Sequence, residues 1–317
     1  MTENTVQHGS FKLGAGEMWA LSAAFSYALT NVFARVAVRG NINYLLGVIL
    51  RATPVCLFSL VMVLSVRRRN PQAVSPFSDW KLIGVLVSYG VLTFVVGGPL
   101  LFYALQVGGV LVTTPVTGTQ VLWSGLLAAV FLHERLNWKM VVGMLICAGG
   151  IALLALGQSG GVPVSPRWWL AIPLALGTAF CWSLSGVLVA YAMRRGVDHF
   201  QSLAVATSSG ILLLNIYLLA HGQISVYWQT PLSVEASVLL AGMFGAVALI
   251  SVTTAISLTT IASANAINSL QVVIAPLIAW IFLGEQLNLT MSLGILAVMS
   301  GVVCVQWAKG ETDRQAR

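Results

Sequence analysis

The sequence predicts an all-α membrane protein of ten transmembrane helices arranged as two inverted five-helix repeats. Three observations carry that prediction. The residues are 58% hydrophobic and only 8% charged, with a mean hydropathy of +0.89, whereas about a quarter of the residues of a soluble domain are charged. Apolar windows of about 20 residues, the length that crosses a bilayer, occur ten times, at roughly 17–39, 44–66, 80–106, 110–132, 138–157, 167–193, 199–220, 235–259, 263–283 and 290–308. Finally, Phe131-Leu132-His133-Glu134-Arg135-Leu136-Asn137 returns 151 positions later as Phe282-Leu283-Gly284-Glu285-Gln286-Leu287-Asn288, each block closing one window and opening the next.

The same offset relates Leu105 to Ile256, Gln120 to Gln271, Met140 to Met291, Gly143 to Gly294, Leu145 to Leu296 and Gly150 to Gly301. Nearer the start of each copy the offset is 155, relating Ala24-Phe25, Leu29 and Val32 to Ala179-Phe180, Leu184 and Val187. A repeat of this size sets the organisation before any local reading. It divides the chain into a tail (1–16), a first repeat (17–157), a linker (158–166), a second repeat (167–308) and a closing tail (309–317). Residues 1–16 lack the apolar core of a signal peptide, so the first span is expected to be retained.

Cations set the orientation. With a cytoplasmic amino terminus, twelve of the 16 Lys and Arg fall inside (Lys12, Arg67, Arg68, Arg69, Lys81, Arg135, Lys139, Arg194, Arg195, Lys309, Arg314 and Arg317), and only Arg39 and Arg167 fall outside. This is the positive-inside pattern, with both termini cytoplasmic. The net charge of +7 then reflects topology and contact with anionic lipid, and calls for no nucleic-acid partner. Because five spans is an odd number, the second copy lies upside down relative to the first. Inverted halves around a midplane site are how many secondary transporters alternate access.

In the first span Tyr27, Asn31 and Arg35 recur at helical spacing, and Tyr27 is related to Trp182 in the sixth. The interfacial belt accounts for Trp19, Trp80, Trp138, Trp168 and Trp228, but Tyr27 and Trp182 are central. They either line a substrate path with their π-faces or pack. Arg35, nearer the outer surface, is expected to snorkel, and Thr30 and Ser185 to bond their own backbone. Arg51, in the second span, is about 5 to 10 Å from its middle at 1.5 Å per residue. It is either a packing arginine capped by carbonyls or the partner of a substrate carboxylate. Pro54, Pro99, Pro115 and Pro276 kink spans, as flex points or as static bends, and Pro276 is a gating candidate.

The fourth span carries a polar stripe, Thr113, Thr117, Gln120 and Ser124, whose ninth-span partners are Ala264, Asn268, Gln271 and Ala275. A mid-span amide is costly in hydrocarbon. Gln120 and Gln271 therefore face a cavity, the alternative being hydrogen bonds between packed helices. Glu134 and Glu285 precede Asn137 and Asn288, which are placed to N-cap the fifth and tenth spans. The carboxylates would support those helix starts or form contacts that differ between access states. Gly143, Gly149, Gly150, Gly294 and Gly301 read as close-packing sites. Cys56, Cys147, Cys181 and Cys304 lie in four different spans and read as buried free thiols, with no disulfide and no metal site.

Two five-span halves whose fourth spans end in Leu-x-Glu-x-Leu resemble the EamA-type branch of the drug/metabolite transporter superfamily. The resemblance runs from about Glu17 to Ala308. Ala275-Pro276-Leu277-Ile278 followed by Phe282-Leu283-Gly284-Glu285 matches the family pattern; the first copy departs from it with Gly125 and His133 in place of Pro276 and Gly284. Leu50-Arg51-Ala52 resembles the family's buried arginine, and the second copy has Ala206 there. The resemblance implies a carrier of small metabolites, often an exporter of amino acids and related compounds.

No buried acid is expected in any span, and His8, His133, His199 and His221 are terminal or in loops. The substrate is then neutral, zwitterionic or anionic, carried without coupling through a buried acid. No motif of catalysis or metal binding appears, so no enzyme and no cofactor are expected. The expected partners are a small-molecule substrate and the lipid bilayer, and since two halves complete one path, a monomer suffices. The expected function is a secondary transporter of a small organic metabolite, an exporter working by alternating access in a bacterial cytoplasmic membrane. The candidate substrate-path residues are Tyr27, Asn31, Arg51, Thr117, Gln120, Trp182, Asn268 and Gln271. An importer of the same kind of compound is the alternative, and a channel, a non-transporting membrane protein or a membrane-embedded enzyme stands further off.

Overall fold

The computed structural model describes residues 14–69, 75–120, 122–124, 126–127, 138–159, 164–259 and 261–315, and every regular element among them is helical. The first repeat holds α1 (Ala15–Arg39), α2 (Tyr44–Arg69), α3 (Trp80–Gly90), a π-helical stretch Val91–Gly97 running straight into α4 (Gly98–Gly118), and α5 (Trp138–Ser159). The second holds α6 (Ala171–Arg194), α7 (His199–Ala220), the short α8 (Val226–Gln229), α9 (Leu232–Leu258), α10 (Ile261–Asn268), α11 (Gln271–Leu283) and α12 (Leu289–Gln315).

Short polar side chains start several of these helices by receiving backbone N–H groups that have no partner within the helix. Asn43 Oδ1 accepts from Leu45 at 2.9 Å, Asp79 from Lys81 at 2.9 Å and Asp198 from Phe200 at 2.8 Å. Asn288 caps α12 as the sequence predicts, accepting from Met291 at 2.8 Å, and also donates to the Gly157 carbonyl at 2.7 Å. Asn137 and Glu134 lie outside the described residues. Leu57, Leu64, Leu145, Leu219, Phe282 and Leu296 stand outward on the bundle, which suits a surface wetted by lipid.

The apolar stretch Trp80–Ser124 is one 45-residue run. At 1.5 Å per residue that is about 68 Å of helix, roughly twice a hydrocarbon core. The chain must therefore turn back, and it does so at Gly109, whose φ of 69° and ψ of −174° break α4. The expected third and fourth spans meet there. Pro99, which has no N–H to give, follows the π-helical stretch, in keeping with helix irregularities at proline.

The repeats interlock by exchanging partners. In α1 the packing partner is α9, and the related contact joins α6 to α4; α2 packs on α7 and α5 on α12, each helix meeting its own repeat mate. The α5–α12 crossing is built on glycine. A Cβ at Gly150 would sit 2.8 Å from the Gly294 carbonyl and 2.7 Å from the Val298 nitrogen, and one at Gly143 would sit 2.8 Å from the Gly301 carbonyl. The repeat maps Gly143 to Gly294 and Gly150 to Gly301, so the two pairs interchange, as a two-fold axis requires. Gly149 departs from expectation: a Cβ there meets nothing within 4 Å, because it lies on the opposite side of α5. All four cysteines are free, and three of them are buried.

Arg35 and Glu285 overturn their sequence reading. Arg35 does not snorkel; it is 4% exposed and its Nε donates to Glu285 Oε1 at 3.0 Å. Its Nη1 donates to the carbonyls of Leu105 at 2.7 Å and Gln106 at 3.1 Å, just ahead of the break. Glu285 supports a different helix start from the one expected, and it is a buried acid although it follows the end of a span. It is 4% exposed and accepts from the backbone N–H groups of Val110 at 2.9 Å and Leu111 at 3.1 Å, just beyond the break.

Local chemistry turns the carboxylate inward. Gly284 adopts a left-handed φ of 62° at the end of α11 and the Glu285 N–H bonds back to the Ala279 carbonyl at 3.3 Å, so the glycine stops the helix and reverses the chain. Arg39 donates to the Leu283 carbonyl at 2.7 Å and lies 3.9 Å from Glu285, with its side chain 41% exposed. Gly109 is needed twice, for its positive φ and because a Cβ there would lie 2.5 Å from Glu285 Oε1.

Two outcomes follow. Gly150→Leu should lower the melting temperature and the monodisperse yield of the purified protein, and Gly149→Leu should leave both near wild type; equal effects would contradict the two-fold crossing. Glu285→Ala strands a buried guanidinium and two amides and should cost about 3–5 kcal/mol, whereas Arg39→Ala, a half-exposed pair, should cost about 0–1 kcal/mol. Thermal melting in detergent that ranked the two variants equally would refute the buried role of Glu285.

Candidate functional site

Between the repeats lies a cavity of about 640 Å³, within the range that holds a small organic molecule. Tyr27, Asn31, Arg51, Thr117, Gln120, Trp182, Asn268 and Gln271 all line it. Its wall runs from Val48, Phe102 and Thr114, on the side of the Arg35–Glu285 contact, to His199, Leu203 and Ile256, towards the end of the bundle where the described chain begins and ends.

The fourth and ninth spans build the wall with matching residues. Thr114, Thr117 and Gln120 line the cavity, and so do Asn265, Asn268 and Gln271, their counterparts at the 151-residue offset. This corrects the phase of the expected stripe. Thr113 and Ala264 are fully buried away from the cavity, and Thr114 and Asn265 take their place. Ser124 is occupied by the Gln120 carbonyl at 3.0 Å and the Ser183 hydroxyl at 3.2 Å.

Both spans also lose helical regularity at related points, Thr119 in one and Ser269-Leu270 in the other, each directly ahead of the lining glutamine. Irregular backbone at membrane depth is tolerated where protein or a cavity satisfies it. Here the Gln120 carbonyl accepts from the Ser183 hydroxyl at 2.6 Å, and the Ser269 and Leu270 N–H groups donate to the Asn265 and Ile267 carbonyls, each at 3.0 Å.

The first and sixth spans contribute Tyr27, Asn31, Trp182 and Ser185. Thr30 and Ser185 bond their own backbone as expected, to Ser26 at 3.0 Å and Cys181 at 2.7 Å, and Ser185 also receives Thr93 Oγ1 at 2.9 Å. Tyr89, Thr93 and Asn265 line the cavity and were missed in the sequence. Tyr89 and Thr93 are four apart on one helix face and Asn265 is three before Asn268, so helical spacing held the signal. Pro276, inside α11, is buried and does not line the cavity.

The two intramembrane arginines sit in opposite circumstances. Arg35 is paired with two carbonyls and a carboxylate. Arg51 lines the cavity and makes no hydrogen bond or ion pair among the described residues, which leaves it without the carbonyl caps of a packing arginine. No Asp or Glu among the described residues is in the lining. Three other polar atoms of the lining are buried without a partner among the described residues, Thr114 Oγ1, Asn268 Oδ1 and Trp182 Nε1. Each such atom carries a desolvation cost of about 1–3 kcal/mol that a complementary group relieves. The arrangement can hold a molecule by hydrogen bonds, aromatic faces and one positive charge. It holds no group of residues with the make-up of a metal site among those described.

Comparison with known proteins agrees with this architecture. The model of the EamA-like transporter family matches residues 14–156 and again residues 169–307. No curated protein matches the chain. A crystal structure of a protein with 15% sequence identity superposes with a TM-score of 0.61, covering 92% of this chain and 96% of that one, a likeness of fold alone. With both repeats matched and the cavity between them, the chain belongs to the EamA-like transporter family, a multi-pass branch of the drug/metabolite transporter superfamily whose members carry small compounds and are not enzymes.

Proposed function

We propose that the protein is a secondary transporter that moves a small organic metabolite, an amino acid or a related neutral, zwitterionic or anionic compound, by alternating access around the mid-depth cavity. The observation that carries this reading is the set of three repeat-related pairs, Thr114/Asn265, Thr117/Asn268 and Gln120/Gln271, all on one cavity wall. Inverted halves that present matching groups to one molecule can exchange roles without rebuilding the site.

The Arg35–Glu285 contact stands at one end of the cavity and holds the broken α4 together. In the other access state this contact would open, with Pro276 of α11 as the bend that lets Glu285 withdraw. Glu134, at the matching position of the first repeat, lies outside the described residues. Arginines and lysines crowd the loops on the side of the termini, which supports a cytoplasmic placement of both termini in a bacterial cytoplasmic membrane. A cavity that extends to that side, with the far side held shut, would load from the cytoplasm and so favours export.

The test is counterflow in proteoliposomes with pooled labelled amino acids and organic acids, comparing wild type with Gln120→Ala and Gln271→Ala. Saturable exchange that falls about tenfold or more in each variant, with melting temperature preserved, is expected, since each amide lost removes a hydrogen bond of transport-relevant size. Exchange unchanged in both variants would contradict a midplane site.

A further inference from the structure

We propose that the cavity selects an organic acid: a compound with one carboxylate, no ammonium group and an aromatic or planar apolar body, held by Arg51. This rests on the carrier reading and narrows its substrate class. Among the described residues Arg51 is the one lining side chain that is positively charged at every physiological pH, and it makes no hydrogen bond or ion pair with any of them. A guanidinium at membrane depth is expensive unless something pairs with it. Its five donors match a carboxylate in the two-bond, planar geometry that a point cation lacks.

The rest of the wall argues against a substrate ammonium. Among the described residues no Asp or Glu lines the cavity, and Glu285 lies outside the lining with its oxygens given to Arg35, Val110 and Leu111. A cation would meet Arg51 with nothing to offset the repulsion, and His199, the other lining group able to carry charge, would add to it when protonated. A zwitterion satisfies Arg51 and strands its ammonium. A carboxylate alone satisfies the site.

The body of the molecule is set by the aromatic walls. Tyr27, Tyr89 and Trp182 present rings to the cavity, suited to an apolar ring in offset or edge contact. Trp182 Nε1 is a buried donor without a partner among the described residues, and Thr114 Oγ1 and Asn268 Oδ1 are likewise unmatched.

The experiment uses the full chain in lipid nanodiscs and four probes that share one aromatic body: phenylacetate, phenylalanine, phenethylamine and 2-phenylethanol. Binding is read by tryptophan fluorescence and by melting temperature. Phenylacetate should bind about tenfold or more tightly than 2-phenylethanol or phenylalanine, and phenethylamine should bind weakest, as a charge-assisted pair against a neutral contact implies. Arg51→Gln should erase the preference for the acid over the alcohol, and Arg51→Lys should keep part of it, both variants melting near wild type without ligand. Equal binding of acid and alcohol, unchanged binding of acid to Arg51→Gln, or binding of none of the four overturns the inference. Counterflow of a neutral or cationic solute that depends on Gln120 and Gln271 but not on Arg51 would also overturn it and leave the carrier standing. A lack of saturable flux for any solute would remove the carrier itself.

Discussion

A chain that turns back on itself where two spans meet leaves carbonyls on one side of the break and amides on the other, and where that break is buried no water is there to take them. At Gly109 those groups are met by opposite charges. Arg35 covers the outgoing carbonyls of Leu105 and Gln106, Glu285 receives the incoming amides of Val110 and Leu111, and the two side chains bond to each other. The cation sits at a helix C-terminus and the anion at an N-terminus, so each also has the favourable end of a helix dipole. With all of these contacts made, a buried ion pair that would otherwise cost several kcal/mol becomes tolerable. The placement of the fourth span, and with it Thr114, Thr117 and Gln120, depends on that closure.

The two repeats are not chemical copies. The position related to Arg35 in the second repeat is Ala190, and that related to Arg51 is Ala206. The backbone therefore follows the inverted symmetry, as the paired glycines of α5 and α12 and the matched breaks at Thr119 and Leu270 show. The two intramembrane arginines do not, whereas Glu285 has a sequence counterpart in Glu134.

Fold class was legible because it rests on quantities that a sequence states directly, apolar length and self-similarity. Helix caps such as Asn288 were legible because the partner is three residues away. The closure at Gly109 was not, because Arg35 and Glu285 are 250 residues apart and the carboxylate reads as a loop residue until Gly284 is seen to turn it inward. Signals existed: a glycine pair at Gly108-Gly109, a glycine at the stop of α11, and Arg35 on the same helix face as Tyr27 and Asn31. The stripe on the fourth span was misphased by one residue, from Thr114 to Thr113, because a helix that starts at a break has no neighbour in the sequence to fix its rotation. Tyr27, Gln120 and Gln271 were found because mid-span polar and aromatic residues are costly wherever they lack a cavity or a partner.

The proposed role of the Arg35–Glu285 contact is to close one end of a carrier cavity that is reached from the other. It is tested most directly by a cysteine-free protein bearing Val48→Cys, a lining position on the closed side, exposed in right-side-out vesicles to a membrane-impermeant maleimide. The account predicts little labelling from outside while Glu285 is intact and rapid labelling once Glu285→Ala is added. Ready labelling with the contact intact, or none after its removal, would contradict it.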